Sequence, residues 1–404
     1  MKKNLKFIEI NEFKAPYDDF SQKISENLCL NSQKKIKILN TLGHGSFGIV
    51  CEMSYNITPN KTYAIKIIPI KKGKGKESIY ESNTKQELNL SRNLYNINII
   101  KSLNATNFQY QIEKNKIFSI FAIIMEKARY RDLSIFISHF QKYNILRLTI
   151  NNRKFPYIKL MSEYTMKFFI NQIVKGLFFL YTNNLIHGDI KPGNILIGDN
   201  YTLKLCDFSL TKSIAKHQNK IRISSGTDEF SPIECFDNEV SYLNAGKNDI
   251  FALGCISYLM QFEENLISKK KCLKYDKNEC KNQINQGIEK IEKKIEENLE
   301  MKKNSKDSFY SNDSLYFTQN LIQLDADKRF GHKDVIENEW LNRDKKEIKK
   351  IVDLNETEKG IKLFIEFQKS SVLDDNKTKK KKKKIFFSVL INLKYLKTSF
   401  IISL

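Results

Sequence analysis

Residues His187 to Asp207 read HGDIKPGNILIGDNYTLKLCD. Two carboxylates, Asp189 and Asp207, lie 18 positions apart, with Lys191 and Asn194 between them. Ile195-Leu196-Ile197 and Leu203-Lys204-Leu205 have the composition of short strands, and Gly198-Asp199-Asn200 that of a hairpin turn. A hairpin of this size brings its ends together, so Asp189, Asn194 and Asp207 are expected to converge. Two carboxylates, an amide oxygen and a lysine suit one chemistry well. Hard oxygen ligands hold Mg²⁺ through few protein groups and substrate phosphates. A further carboxylate orients a hydroxyl, and a lysine neutralises a moving phosphoryl group. The bland alternative is a polar loop followed by a buried hairpin; it does not explain why several chemistry-bearing residues keep this spacing together.

HGDIKPGN followed by CDFS resembles the catalytic loop and magnesium motif of eukaryotic protein kinases. The chain upstream can be compared with that pattern. A strand beginning at Ile36 runs into Gly43-His-Gly45-Ser46-Phe47-Gly48-Ile-Val50. A lone GxGxxG is weak, since dinucleotide folds use it ahead of a helix. Here Ile49 to Met53 continues as a strand, so the glycines cap a hairpin, which favours a phosphate-covering loop. A third strand, Thr62 to Ile68, carries Lys66 among apolar residues, where a lysine needs a partner. A helix is readable from Thr84 and carries Glu87, and strands follow near Phe108–Ile112 and Ile117–Met125.

The resemblance implies a role for each position that matches. The turn Gly43, Gly45, Ser46, Phe47 and Gly48 would cover ATP. Val50 and Ala64 would sandwich adenine above Leu196. Lys66 would hold the α/β-phosphates and pair with Glu87. Met125 would be the gatekeeper, the backbone of Glu126 and Ala128 would bind adenine, and Asp132 the ribose. Asp189 would be the base, Lys191 the γ-phosphate lysine, and Asn194 and Asp207 the Mg²⁺ ligands. Lys191-Pro192 and Thr227 are similar to serine/threonine rather than tyrosine kinases. Gly226 to Glu234 resembles the segment that closes the activation loop, with Glu234 expected to pair with Arg329 and Asp249 to anchor the catalytic loop. Ser213, Ser224 and Ser225 are candidate phosphosites.

Two positions depart from the pattern. Gly188 stands where the family has an arginine that binds an activation-loop phosphate. Ser209 replaces the glycine of the magnesium motif, and its Cβ is expected to restrict that segment. These departures motivate the alternative of a pseudokinase, an ATP-binding scaffold without turnover. The retained Lys66, Asp189, Asn194 and Asp207 argue against it.

The fold expected is α+β and two-lobed, a small antiparallel sheet with one helix above a larger, mainly helical lobe. Residues 1–33 read as an N-terminal extension. The kinase domain spans 34–341, with the small lobe over 34–125, a hinge at 126–132, the large lobe over 133–341, and insertions near 141–161 and 262–310. The second insertion, rich in Lys, Asn and Glu, reads partly as a solvated helix and partly as an expanded loop. Ser162 and Glu163 open a long apolar helix to about Tyr181. Phe317–Leu324 and Val335–Leu341 read as closing helices, and Trp340 is the one tryptophan. A charged helical stretch, 342–376, precedes a tail over 377–404.

Composition adds weaker constraints. Of the net charge of +22, nine lysines of the tail supply +9. A basic balance favours phosphates, anionic lipid, nucleic acid or acidic proteins. The abundance of Lys, Asn and Ile along the whole chain offers a coding-bias explanation instead. The expected partners are protein substrates and ATP, with no specific nucleic acid. The tail places Lys379 to Lys384 before IFFSVLINLKYLKTSFIISL, which is long enough to span a bilayer but contains Lys394 and Lys397. Its readings are contact with an anionic membrane surface or a tail with no stable fold. Seven cysteines without a CxxC pair suit free thiols in a reducing compartment. Glu9 and Glu12 interrupt any leader-like apolar run, so an intracellular, cytoplasmic location is expected.

Overall fold

The computed structural model describes residues 26, 35–45, 48–71, 79–113, 116–138, 161, 163–214, 220–221, 226–237, 240–241, 244, 246–268, 276–301 and 310–343. Outside these lie Ser46, Phe47, Ser224 and Ser225, nearly all of the N-terminal extension, the 141–161 insertion apart from Met161, the stretch from 344 to 376 and the basic tail.

The first half of the fold is one antiparallel sheet. Strands β1 (Ile36–Gly45), β2 (Gly48–Tyr55) and β3 (Thr58–Lys71) precede helix α1 (Ile79–Asn93), then β4 (Ser102–Glu113) and β5 (Lys116–Met125). The spatial order is β1-β2-β3-β5-β4. Alternation along each strand divides the sheet into two faces. Val50 pairs with Lys66 and Glu52 with Ala64; Lys66 in turn pairs with Ile123 and Ala64 with Met125. These six residues therefore share one face, and it faces the other lobe. On the opposite face Cys51, Met53, Ile65, Ile67, Ile120 and Ile124 close an apolar cluster. Helix α1 seals the cleft side further along the sheet, where Leu88 packs with Ile68, Ala105, Phe121 and Ile123.

The second half is mainly helical. Helix α2 (Glu163–Thr182) leads to the short strands β6 (Leu185–Ile186), β7 (Ile195–Ile197), β8 (Leu203–Leu205) and β9 (Lys212–Ser213). Strands β7 and β8 form the expected hairpin, Ile195 opposite Leu205 and Ile197 opposite Leu203. Strand β6 pairs with β9. Two further strands, β10 (Lys220–Ile221) and β11 (Val240–Ser241), pair with each other. Helix α3 (Lys247–Phe262) is buried on every side from Asn248 to Gln261. Two of its polar side chains bond within the lobe: Ser257 shares a 2.6 Å hydrogen bond with Thr318, and Gln261 Nε2 donates to the Ser314 carbonyl at 3.0 Å.

Over 262–310, expected to be partly a solvated helix and partly an expanded loop, the structure places helix α4 (Lys277–Met301), which has one buried face as well as a solvated one. Cys280, Ile284, Ile291 and Ile295 recur on one face and are buried in the main core. The charged residues occupy only the outer face. Helices α5 (Asn312–Leu321), α6 (His332–Ile336) and α7 (Glu339–Asn342) finish the lobe. Helix α5 starts earlier than expected because Ser311 caps it, its hydroxyl accepting from the Ser314 amide at 3.2 Å. Asn338 caps α7 in the same way, which splits the expected last helix in two. Among the described residues no helix is long and apolar enough to cross a membrane.

Candidate active site

The site is built where the cleft face of the sheet meets the β7–β8 hairpin. Lys66, 6% exposed, donates to Glu87 Oε1 at 2.6 Å and to Asp207 Oδ1 at 2.8 Å. One buried ammonium thus joins β3, α1 and the end of the hairpin. Burial alone would lower the Lys66 pKa, but the charges of Glu87 and Asp207 and the hydrogen bonds to them raise it above the ordinary value. Asp207 moves the other way: burial opposes ionisation, yet the Lys66 charge and hydrogen bonds from Lys66 and Ser209 hold its pKa below the usual range. Burial pushes Glu87 up against the pull of Lys66.

Asp207 sits in a left-handed conformation, φ 67° and ψ 74°, and starts a 3₁₀ turn over Phe208–Leu210. Ser209 lies inside that turn, is buried, and is absent from the positive-φ residues. Its Cβ therefore costs no positive-φ strain in this conformation. The strain falls on Asp207 instead, and Ser209 returns a hydrogen bond to it.

The catalytic loop holds a second constellation. The Asp189 carboxylate accepts from Lys191 Nζ at 2.7 Å, from Thr227 Oγ1 at 2.9 Å and from Asn194 Nδ2 at 3.0 Å. Lys191 also donates to Thr227 Oγ1 at 2.8 Å. Asn194 Nδ2 makes a further bond to the Asp189 carbonyl at 2.8 Å, and the Cys206 amide donates to the Asn194 carbonyl at 3.0 Å. That last bond carries Asn194 to the residue beside Asp207. Gly226 packs against this group so closely that an added Cβ would lie 2.6 Å from Asp189 Oδ1.

Anchors below keep the loop in place. The Asp249 carboxylate accepts from the amides of His187 at 2.7 Å and Gly188 at 3.0 Å. Gly188 has φ +80°, where an added Cβ would meet the Leu210 carbonyl at 2.8 Å, so the glycine suits its backbone. Glu234 takes a 2.6 Å bond from Arg329, whose side chain is fully buried.

The remaining predicted positions line the cleft. Val50, Ala64 and Met125 share the sheet face of Lys66. Leu196 is half-buried on β7, which joins the chain leaving the hinge through the Tyr130 amide to the Ile197 carbonyl at 2.9 Å. The Glu126 side chain is occupied by the Lys101 amide at 2.8 Å and by Lys204 at 2.9 Å. Neither the Glu126 carbonyl nor the Ala128 amide has a hydrogen-bond partner among the described residues. Asp132 Oδ1 accepts from the Ser134 and Ile135 amides at 3.0 and 3.1 Å, capping residues 133–138. Gly43 and Gly45 pair with Val50 and Gly48 across the β1–β2 hairpin.

Two contacts had no sequence signature. Gln86 Nε2 donates to the Thr211 carbonyl at 2.8 Å, and Lys127 in the hinge bonds Glu52 on β2. Both join residues far apart in the chain, and neither belongs to a motif. The one hint for Gln86 is that it precedes Glu87.

The donor set fits Mg²⁺ and a nucleotide. Lys66 takes Asp207 Oδ1, while the Asp207 side chain keeps 22% of its surface open. Asn194 spends its amide hydrogens on Asp189, and its Oδ1 accepts no hydrogen bond among the described residues. Two oxygen donors of this kind match an ion that binds few protein ligands. Those two hinge backbone groups offer one acceptor and one donor to a planar base.

Comparison with known proteins agrees with this geometry. The protein kinase domain pattern matches residues 36–341. The chain is similar to the serine/threonine-protein kinase PLK2 of Mus musculus, 28% identical over 222 residues, covering 54% of this chain and 27% of that protein. It is also similar to the serine/threonine-protein kinase cds1 of Schizosaccharomyces pombe, 24% identical over 327 residues, covering 79% of this chain and 61% of that protein. The match with mitogen-activated protein kinase 14 of Arabidopsis thaliana is 22% over 218 residues, 54% of this chain and 52% of that protein. The chain thus spans from about a quarter to three fifths of these relatives' length. A domain pattern that covers both lobes, with relatives that are serine/threonine kinases, makes this chain a member of the protein kinase family.

Proposed function

We propose that the protein transfers the γ-phosphoryl group of ATP to serine or threonine hydroxyls of proteins, with Asp189 as the base and Mg²⁺ required. The observation that carries this reading is the Asp189 carboxylate, held by Lys191, Thr227 and Asn194 while still next to the cleft. Three donors on one carboxylate fix its position, which suits it to orient a hydroxyl and accept its proton. The hydroxyl oxygen bonds to the γ-phosphorus as the bond to the bridging oxygen of ADP breaks, and the proton passes to Asp189. Lys191 neutralises charge on the moving group. Lys66, aligned by Glu87, holds the α/β-phosphates. Asp207 and Asn194 Oδ1 would hold Mg²⁺, which neutralises phosphate charge when bound. Thr227 is expected to favour serine or threonine by sitting against both Asp189 and Lys191.

The alternative, a nucleotide-binding scaffold without turnover, drew on Gly188 and Ser209. Neither position removes a catalytic group, and Ser209 carries no positive-φ strain. The deciding experiment is transfer from labelled Mg-ATP to a mixed serine/threonine peptide set, beside Asp189→Asn. Label on serine or threonine in the wild type, reduced at least about 1,000-fold in the variant, supports the kinase. Equal rates would remove Asp189 as base. No transfer by either, with ATP still protecting against heat, would favour the scaffold.

A further inference from the structure

Adjacent residues of α1 cross the cleft by different means. Among the described residues Glu87 reaches Asp207 through Lys66 and does so with one oxygen: Oε1 takes the 2.6 Å bond, while Oε2 is buried with no hydrogen-bond partner among them. A single-point contact leaves the carboxylate free to pivot about Lys66. Gln86 supplies the second point. Its Nε2 donates at 2.8 Å to the carbonyl of Thr211, four residues beyond Asp207.

That carbonyl is itself fixed. Thr211 is 1% exposed, its amide donates to the Phe208 carbonyl at 3.2 Å, and its hydroxyl donates to the His187 carbonyl at 3.3 Å. The next residues, Lys212 and Ser213, pair with Ile186 and Leu185. Gln86 therefore grips a part of the large lobe tied to the catalytic loop on both sides. The grip is neutral, and it touches none of the groups assigned to ATP or Mg²⁺.

We infer that Gln86 is a positioning residue, whose hydrogen bond to the Thr211 carbonyl holds α1 at the depth where Glu87 meets Lys66, and so sets how well Lys66 binds phosphate. The inference rests on the proposed function in one respect, that Lys66 meets nucleotide phosphates. With the grip lost, α1 can withdraw, and Lys66 is left to Asp207 alone. Adenine contacts on the hinge do not depend on α1.

The test is calorimetric binding of Mg-ATP and of adenosine to the full chain. The samples are wild type, Gln86→Met (similar length, no donor), Gln86→Lys (donor restored), Glu87→Gln, and the Gln86→Met/Glu87→Gln pair. Loss of one such hydrogen bond predicts Mg-ATP binding about 3- to 10-fold weaker in Gln86→Met. Adenosine binding is unchanged, Gln86→Lys recovers most of the loss, and the double variant is no weaker than Glu87→Gln alone. Equal losses for adenosine and Mg-ATP, full additivity in the pair, or no loss in Gln86→Met would each overturn the inference. Melting of the free proteins separates misfolding from lost binding; a collapsed Gln86→Met leaves the comparison to a folded Gln86→Ala. Phosphotransfer is run on the same samples. A wild type that binds Mg-ATP without transferring phosphate sinks the proposed turnover while the binding cycle still decides Gln86. A wild type that does not bind Mg-ATP sinks both.

Discussion

Lys66 is the residue on which the two lobes meet, and its charge has a calculable consequence. Its folded pKa is raised, so the stability it contributes is complete below the ordinary lysine value near 10.5 and is lost as pH rises beyond it. Asp207 has a lowered folded pKa, so its contribution is present above about 4 and is lost as pH falls further. Glu87 acts in the opposite sense to Asp207: burial raises its folded pKa, so it takes up a proton on folding and its contribution grows as pH falls toward that raised value. Lys66→Met removes the cation and leaves Glu87 and Asp207 as neighbouring carboxylates with raised pKa values. A raised carboxyl pKa means protons bound on folding, so the variant should gain stability as pH falls from 7 toward 5 more steeply than the wild type, in which Glu87 alone of the two carboxyls is raised. Urea midpoints across that range check this, with a loss at pH 7 of about 3 kcal/mol. Gly226 gives a second residue-scale test. A methyl 2.6 Å from Asp189 Oδ1 must displace the carboxylate. Gly226→Ala should lower peptide phosphotransfer about 100-fold, since misplacement on the scale of 1 Å costs that much, while calorimetric Mg-ATP affinity stays at the wild-type value.

Among elements, the docking of α6 on α2 holds a pH-sensitive contact. His332, 7% exposed, stacks on Tyr181 with ring centroids 4.2 Å apart and an interplanar angle of 8°. Burial pushes its pKa down to about 4. The unfolded chain then binds a proton that the folded one refuses, and stability falls as pH drops from about 6.5 to 4. The full effect is about 3 kcal/mol. His332→Phe should flatten this part of the stability–pH curve, as followed by thermal melts. Arg329 ties the segment ending at Glu234 to α3 and to the Gln323 carbonyl. Arg329→Met strands Glu234 and three carbonyl contacts, and denaturant unfolding should show a loss of about 3 to 5 kcal/mol. Element boundaries also mark where the sequence could be read. The β7–β8 hairpin was legible because turn chemistry and strand composition lie within a few residues of each other. The buried face of α4 was not. Ile284, Ile291 and Ile295 repeat at helical spacing, but the lysines and glutamates between them dominated the composition.

For the whole molecule, legibility followed sequence distance. Lys66, Glu87, Asp189, Asn194 and Asp207 could be named in advance because each sits in a short run whose residue types the chemistry constrains. The hydrogen bond from Gln86 to Thr211 could not, since its partners are 125 positions apart and neither is unusual. Nor could the convergence of the Ser311 hydroxyl and Trp340 Nε1 on Glu163, both at 2.7 Å, which closes the helical lobe. Nor could the sequence tell which residue of the magnesium motif is left-handed: it is Asp207, so Ser209 carries no positive-φ strain in this conformation. The described core and the catalytic groups named above lie within residues 35–343. A chain lacking 377–404 should accordingly keep its melting temperature and phosphotransfer rate while losing +9 of the +22 charge; a drop in either would give the tail a part in the fold.

The grip of Asp249 on the His187 and Gly188 amides has a consequence for hydrogen exchange. Loop amides ordinarily exchange fast, because water reaches them through small openings. These two donate to a carboxylate rooted in a helix that is buried all round. Releasing them requires α3 to leave the core. They should take up deuterium only on global unfolding, as slowly as the amides in the middle of α3, which makes two residues of the catalytic loop reporters of the stability of the whole large lobe.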